Sequence, residues 1–216
     1  MALRIPARIL LGLATLASAA AVTASAAAPA HAASLGLACP NPTSPVFQPV
    51  DRTDGAYYAA APDGGFEHGA TGWTLAGGAH VVSGNEPWMV GSVADSHSLS
   101  LPAGSSATSP PMCIGLLDSK MRLFIQNTGA ASSNMRVQVI YNGGVGALLG
   151  GLGSTLRISD QATFAGTKTW QATQPYPMLG GVLPLLTQSV QFRFTPLSTG
   201  GNWRIDDVYL DPLMHR

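Results

Sequence analysis

From residue 63 onward, apolar and polar positions alternate in short runs broken by turn residues. Trp73–Ala76, Ala79–Val82, Ser98–Leu101, Met121–Gln126, Met135–Tyr141, Thr155–Ile158, Ser189–Phe194 and Trp203–Leu210 fit, or nearly fit, the period of two that sends successive side chains to opposite faces of a strand. Gly77-Gly78, Pro102 to Gly104, Asn142 to Gly144 and Thr199 to Asn202 stand between them, and such residues turn the chain and stop strands. No stretch keeps a helical period long enough to compete. About eight or nine strands at this spacing, without a repeat, predict an all-β fold over residues 63–216: a two-sheet antiparallel β-sandwich of the jelly-roll kind.

The alternation also assigns faces. Val137, Val139 and Tyr141 share one side of their strand and leave Arg136 and Gln138 on the other; Val190, Phe192 and Phe194 leave Gln191 and Arg193. Met121, Leu123 and Ile125 likewise turn Arg122, Phe124 and Gln126 outward, which sets an aromatic ring on a polar face. Residues 33–62 lack this pattern. Pro40, Pro42, Pro45 and Pro49 exclude a helix or a central strand there, so an irregular N-terminal lead across the domain is expected.

The N-terminus changes the picture of where the protein works. Arg4 and Arg8 flank the start of an apolar run to about Val22, and Ala30-His31-Ala32 follows as a small-x-small cleavage signal. Residues 1–32 read as a removed signal peptide, and the protein as secreted. Losing Arg4 and Arg8 takes the basic count from 11 to 9 against 11 acids, a net charge near −2 with no basic run. That balance argues against nucleic acid and an anionic membrane as partners. In an exported chain Cys39 and Cys113 most simply form a disulfide.

Motifs for catalysis fail one by one. Gly151 to Thr155 puts its serine out of register for a nucleophile elbow, no HExxH is present, and the histidines stand alone. Glu86, Asp95, Asp118 and Asp160 sit in turn-like sequence, where carboxylates usually make turn hydrogen bonds. A non-catalytic binding protein is the expectation.

Gly65-Phe66-Glu67 with Gly72-Trp73 near the start, and Trp203 to Leu210 with its Asp206-Asp207 pair near the end, resemble the galactose-binding-like jelly rolls of bacterial carbohydrate-binding modules. The likeness covers about residues 63–212. The whole chain resembles a set of secreted bacterial proteins built on that domain, with Ala107–Cys113 part of the likeness. The resemblance implies a structural calcium where the first and last strands meet, held by Glu67 and Asp206 with backbone carbonyls, a set of hard oxygens such as calcium takes. Asp207 is the alternative if a bulge exchanges the two aspartates, and Glu67 pairing with an arginine such as Arg204 is the alternative without metal. Glycines in Gly64–Trp73 would let the chain turn and expose carbonyls, with Phe66 and Trp73 anchored in the core beside Trp170 and Trp203.

The resemblance also implies a carbohydrate ligand, of a cell wall or an environmental polymer. A sugar surface wants a stacking ring with amides and guanidinium groups. Phe124, Gln126, Arg136, Gln138, Gln191 and Arg193 are the candidates on a sheet, and Trp88 and Tyr176 are loop aromatics that suit the same role. The apolar loop at 178–186 reads as packing or as a contact for a protein partner. A structural or protein-interaction domain at the bacterial cell surface, without a sugar site, is the alternative function.

Overall fold

The computed structural model describes residue 39 and residues 41–114, 118–142, 159–178, 188–197 and 200–212. The signal peptide, the strand expected at Thr155–Ile158 and the apolar loop past Met178 lie outside them. Among the described residues there is no helix, and the strands are β1 (Ala59–Ala60), β2 (Thr74–Ala76), β3 (His80–Ser83), β4 (His97–Leu101), β5 (Ser106–Thr108), β6 (Met112–Ile114), β7 (Asp118–Asn127), β8 (Asn134–Asn142), β9 (Ser159–Ala165), β10 (Gln171–Ala172), β11 (Tyr176–Pro177), β12 (Gln188–Pro196) and β13 (Trp203–Pro212). They form two antiparallel sheets, the β-sandwich that the alternation predicts.

In the seven-stranded sheet the order is β10-β7-β13-β4-β3, with β1 also on β13 and β11 also on β7. In the six-stranded sheet the order is β2-β5-β12-β8-β9, with β6 also on β12. Val137, Val139 and Tyr141 of β8 and Val190, Phe192 and Phe194 of β12 meet Met121, Leu123 and Ile125 of β7 and Trp203, Ile205, Val208 and Leu210 of β13 in one core. Each such side chain contributes about 1.5–3 kcal/mol on burial. Phe66 and Trp73 join that core with ring centroids 4.9 Å apart, as expected. Trp170 does not: it packs half-buried in a second cluster.

The stretch between β5 and β6 keeps the sheet continuous across two prolines. Pro110 and Pro111 cannot donate to the ladder, and the chain breaks there into two short strands on the same edge of β12. Ser109 bridges the gap. Its amide donates to Phe192 O at 2.8 Å, and its Oγ accepts from Phe192 N at 2.9 Å. Ser109→Ala would leave a buried amide without an acceptor, so a loss of about 1–3 kcal/mol in denaturant unfolding is expected.

The lead roofs the outer face of the seven-stranded sheet. Ala59 and Ala60 pair with Leu210 and Tyr209, and Ser44 bridges to Tyr58. Phe47 stacks on Phe124 with centroids 5.4 Å apart, while the Arg122 guanidinium lies 4.1 Å over the other ring partner, Phe47. Arg122 Nη1 donates to Asp54 Oδ2 at 2.6 Å and Nε to Thr173 O at 2.9 Å. The buried cation thus keeps a counter-charge and acceptors, as burial requires. A disulfide joins Cys39 to Cys113 in β6, as the cysteine pair predicts.

Candidate functional site

The link between the first and last segments of the sandwich is a bulge in β13. Asp206 opposes Phe124, but Tyr209 opposes Arg122, so one extra residue is accommodated. Asp207 takes the left-handed backbone region, φ 48°, a conformation aspartate tolerates better than most residues. The bulge lets Trp203 and Ile205 before it and Val208 and Leu210 after it all face the core. Asp206 is left on the outer side, opposite Phe124, although strict alternation would set it with Val208 and Leu210. The glycine stretch docks on the bulge: Val208 N donates to Gly64 O at 3.2 Å and Ala61 N to Val208 O at 2.8 Å. A Cβ on Gly64 would sit 2.8 Å from Val208 O, so only glycine fits this approach.

Glu67 and Asp206, the expected calcium pair, make separate hydrogen bonds. Glu67 Oε1 accepts from Ser96 N at 2.8 Å and His97 N at 2.7 Å, and Oε2 lies 2.9 Å from His97 Nδ1. Burial raises its carboxyl, but the hydrogen bonds from His97 and Ser96 outweigh this and hold it below the ordinary range. Glu67 therefore ties the turn after β1 to the start of β4. Arg204 is not its partner, since that guanidinium donates to Ser83 O, Gly84 O and Ser98 Oγ.

A different set of acids gathers instead. Glu86, Asp206 and Asp207 are all buried, and Asp95 is half-buried beside them. Glu86 reaches in from the loop between β3 and β4. Its own carboxylate organises that loop by accepting from Trp88 N and Val90 N, and its amide donates to Asp206 Oδ2 at 3.2 Å. Asp206 Oδ1 accepts from Asp207 N at 2.9 Å. Asp207 Oδ2 is buried with no hydrogen-bond partner. A Cβ on Gly65 or Gly91 would lie 3.1 Å from Asp207 Oδ1, so two glycines make room for this carboxylate.

The electrostatics follow from burial among like charges, which the amide hydrogen bonds to Glu86 and Asp206 only partly offset. Burial first, then the neighbouring Asp207 charge, pushes Asp206 up to about 10. Burial, then Glu86 and Asp95, pushes Asp207 up to about 7. Glu86 is raised mainly by burial, and the Tyr209 phenol is driven upward by burial and by Asp207. Among the described residues no cationic side chain forms an ion pair with any of these acids; the pairs present are His68–Asp63, His97–Glu67 and Arg122–Asp54. An orphaned buried carboxylate oxygen among hard-oxygen donors fits a calcium ion. Among the described residues no three such side chains converge closely enough to hold an ion by themselves, so the fit requires backbone carbonyls or water as well. Glu86 escaped the sequence reading because it resembles a turn acid. The usable signal was the Asp206-Asp207 pair inside an apolar strand, which demands a further partner.

The eight expected sugar-contacting residues divide between two faces. Phe124 is turned outward as expected but is fully buried beneath Phe47 and Trp88, because alternation cannot distinguish solvent from a second layer. Trp88 lies half-buried with its centroid 5.4 Å from that of Phe124. Gln126 gives its side-chain amide to Lys168 O at 2.8 Å. Tyr176 is no loop ring: it sits in β11 opposite Met121 and packs partly buried on the core. Arg136, Gln138, Gln191 and Arg193 gather on the outer face of the six-stranded sheet, all half-buried. There Thr74, Thr108, Ile140, Gln191 and Arg193 line a cleft of about 150 Å³. A larger groove of about 470 Å³ lies along the lead, lined by Pro45, Val46, Gln48, Pro49, Arg52 and Val90.

No family model matches the chain, and no curated protein matches it. Among solved structures, the CBM22-1 xylan-binding domain from Paenibacillus barcinonensis Xyn10C is similar with TM-score 0.43 and 16% identity, over 70% of this chain and 93% of that one. The family 11 carbohydrate-binding module from Clostridium thermocellum aligns with TM-score 0.36 and 16% identity, over 73% of this chain and 97% of that one. The enzymatically active domain of bacteriophage CBA120 tailspike protein 4 gives TM-score 0.45 and 15% identity over 70% of this chain, which spans 21% of that protein's length. At these scores the likeness is loose, and the sandwich and its faces are read from the strand pairing alone.

Proposed function

We propose that this is a secreted, non-catalytic glycan-binding protein whose ligand lies on the outer face of the six-stranded sheet. The observation that carries the reading is the difference between the two outer faces. The lead closes much of one, while the other keeps an open cleft lined by Gln191 and Arg193, with Arg136 and Gln138 half-buried on the same face. Guanidinium and amide groups are the donors and acceptors that read sugar hydroxyls. A binder fits better than a hydrolase because glycosidases set two carboxylates across a cleft, whereas the acids here are buried beneath the loop between β3 and β4. The described residues lining the cleft include none. In this reading calcium is held at the bulge by Asp207 and Glu86, with Asp95 nearby. It would supply positive charge that lets these carboxylates stay ionised.

The test is affinity electrophoresis against a panel of soluble polysaccharides with Gln138→Ala and Gln191→Ala. Each hydrogen bond contributes about 0.5–1.5 kcal/mol, so the double variant is expected to weaken retention roughly 5- to 150-fold while Trp88→Ala changes little. Loss with Trp88→Ala alone would move the site to the other face.

A protein-contact role has one observation in its favour: Met89 and Val93, on the loop between β3 and β4, are 45% and 88% exposed. Scattered exposed apolar residues are ordinary, and the loop expected to serve that role is Met178 onward, of which only Met178 is described, and it is buried. The cleft carries more weight.

A further inference from the structure

Two rows on the outer face of the six-stranded sheet form a polar ladder with only one sign of charge among the described residues. Thr74 opposes Thr108, Thr108 opposes Arg193, Arg193 opposes Gln138 and Gln138 opposes Gln161. In the next row Thr195 opposes Arg136 and Arg136 opposes Thr163. Every register position in these two rows is uncharged except the two arginines. Arg136 and Arg193 are therefore diagonal neighbours across β8 and β12, with Cα atoms at roughly 7–8 Å. Among the described residues no carboxylate pairs with either.

The hydrogen bonding is incomplete in the same place. Arg193 donates through Nε to Thr108 Oγ1 at 3.1 Å. Arg136 Nε is shielded from solvent and has no acceptor. A guanidinium cannot relieve this by deprotonating, and its planar donors match oxyanions in pairs. Among the described residues the face also carries no outward aromatic ring: Tyr141, Phe192 and Phe194 all face the core. Recognition there cannot depend on stacking against a sugar ring.

Resting on the glycan reading above, we propose that the ligand is an anionic polysaccharide, its carboxylate or sulfate groups seated between Arg136 and Arg193. The oxyanion meets the two half-buried arginines and offsets their charges, while Gln138, Thr74 and Thr108 are left to bind hydroxyls.

Titration calorimetry with the full mature protein tests this using three probes: oligogalacturonate, the same oligosaccharide fully methyl-esterified, and dextran sulfate. The expected result is at least tenfold tighter binding of oligogalacturonate than of its ester, weakening with added salt. Arg136→Gln with Arg193→Gln should abolish that difference, and Arg193→Lys should retain part of it; unchanged unfolding midpoints certify the variants. Preference for dextran sulfate over the uronate would assign the anion as sulfate within the same proposal. Equal binding of the acid and its ester would overturn the anionic assignment and leave the glycan reading standing. Loss of oligogalacturonate binding in Trp88→Ala but not in the arginine variants would also overturn it. Binding of no probe, and of no neutral polysaccharide in the panel, would remove both.

Discussion

Unfolding of the mature protein in chelator at pH 8 is expected roughly 5–10 °C below unfolding in millimolar calcium, a shift of about 2–4 kcal/mol for a domain of this size. The source is the acid pocket at the bulge. Asp207 has an ordinary carboxyl value when unfolded but is pushed up to about 7 when folded. Between those values the native state binds more protons than the unfolded one, so stability falls as pH rises from about 4 through 7 when no ion is present. A calcium ion reverses the penalty by favouring the ionised form, and an ion at about 100 times its dissociation constant adds about 2.7 kcal/mol. Asp207→Asn separates ion from proton. Asparagine accepts the left-handed backbone at this position, and it removes the charge. The variant should unfold later than wild type in chelator at pH 8 and should ignore calcium. Identical midpoints with calcium and chelator across pH 5 to 8 would mean that protons alone hold the pocket.

Reduction of the disulfide, or Cys39→Ser with Cys113→Ser, is expected to lower stability by about 4 kcal/mol in the chain-entropy description. The bridge spans a sequence separation of 74. The loss should be local in its first consequence. Cys39 lies in the lead, and Asn41 is fastened to the same edge by donating to Cys113 O at 2.8 Å. With the bridge open, protease cutting should concentrate at 41–56 before the strands are attacked, because β1 adds only two residue pairs to β13. The cleft on the other sheet should keep its glycan affinity. A midpoint unchanged by reduction would show that Phe47, Arg122 and Asp54 alone secure the lead.

The long strands were legible because their side chains face unlike surroundings. β8 and β12 alternate so cleanly that their core and outer residues could be assigned from sequence, and the structure agrees residue by residue. The short strands were hidden for physical reasons. β5 and β6 are split by Pro110 and Pro111, and β11 is a two-residue edge piece between prolines that reads as a loop. At the site, the reading found Asp206 and Asp207 but not their environment. A one-residue bulge leaves no mark on composition, yet it reverses which aspartate is orphaned. Phe124 was assigned its side correctly and its exposure wrongly, because Phe47 and Trp88, which cover it, come from the lead and from a loop and have no strand pattern of their own.

The placement of β13 has a kinetic meaning. It lies between β7 on one side and β4 and β1 on the other, although all three precede it in the chain. Apart from the β3–β4 hairpin, the seven-stranded sheet cannot close by zipping one neighbour after another. β1, β4 and β7 must wait, unpaired along those edges, until the segment around 203–212 arrives from some 75 to 150 residues away. Loop closure on that scale comes before any reward from pairing, and topologies dominated by distant contacts fold slowly, over milliseconds to seconds. Such a chain stays open while it is being made. It also leaves apolar strands such as Met121–Ile125 uncovered in the interval, which exposes it to aggregation until the sheet closes.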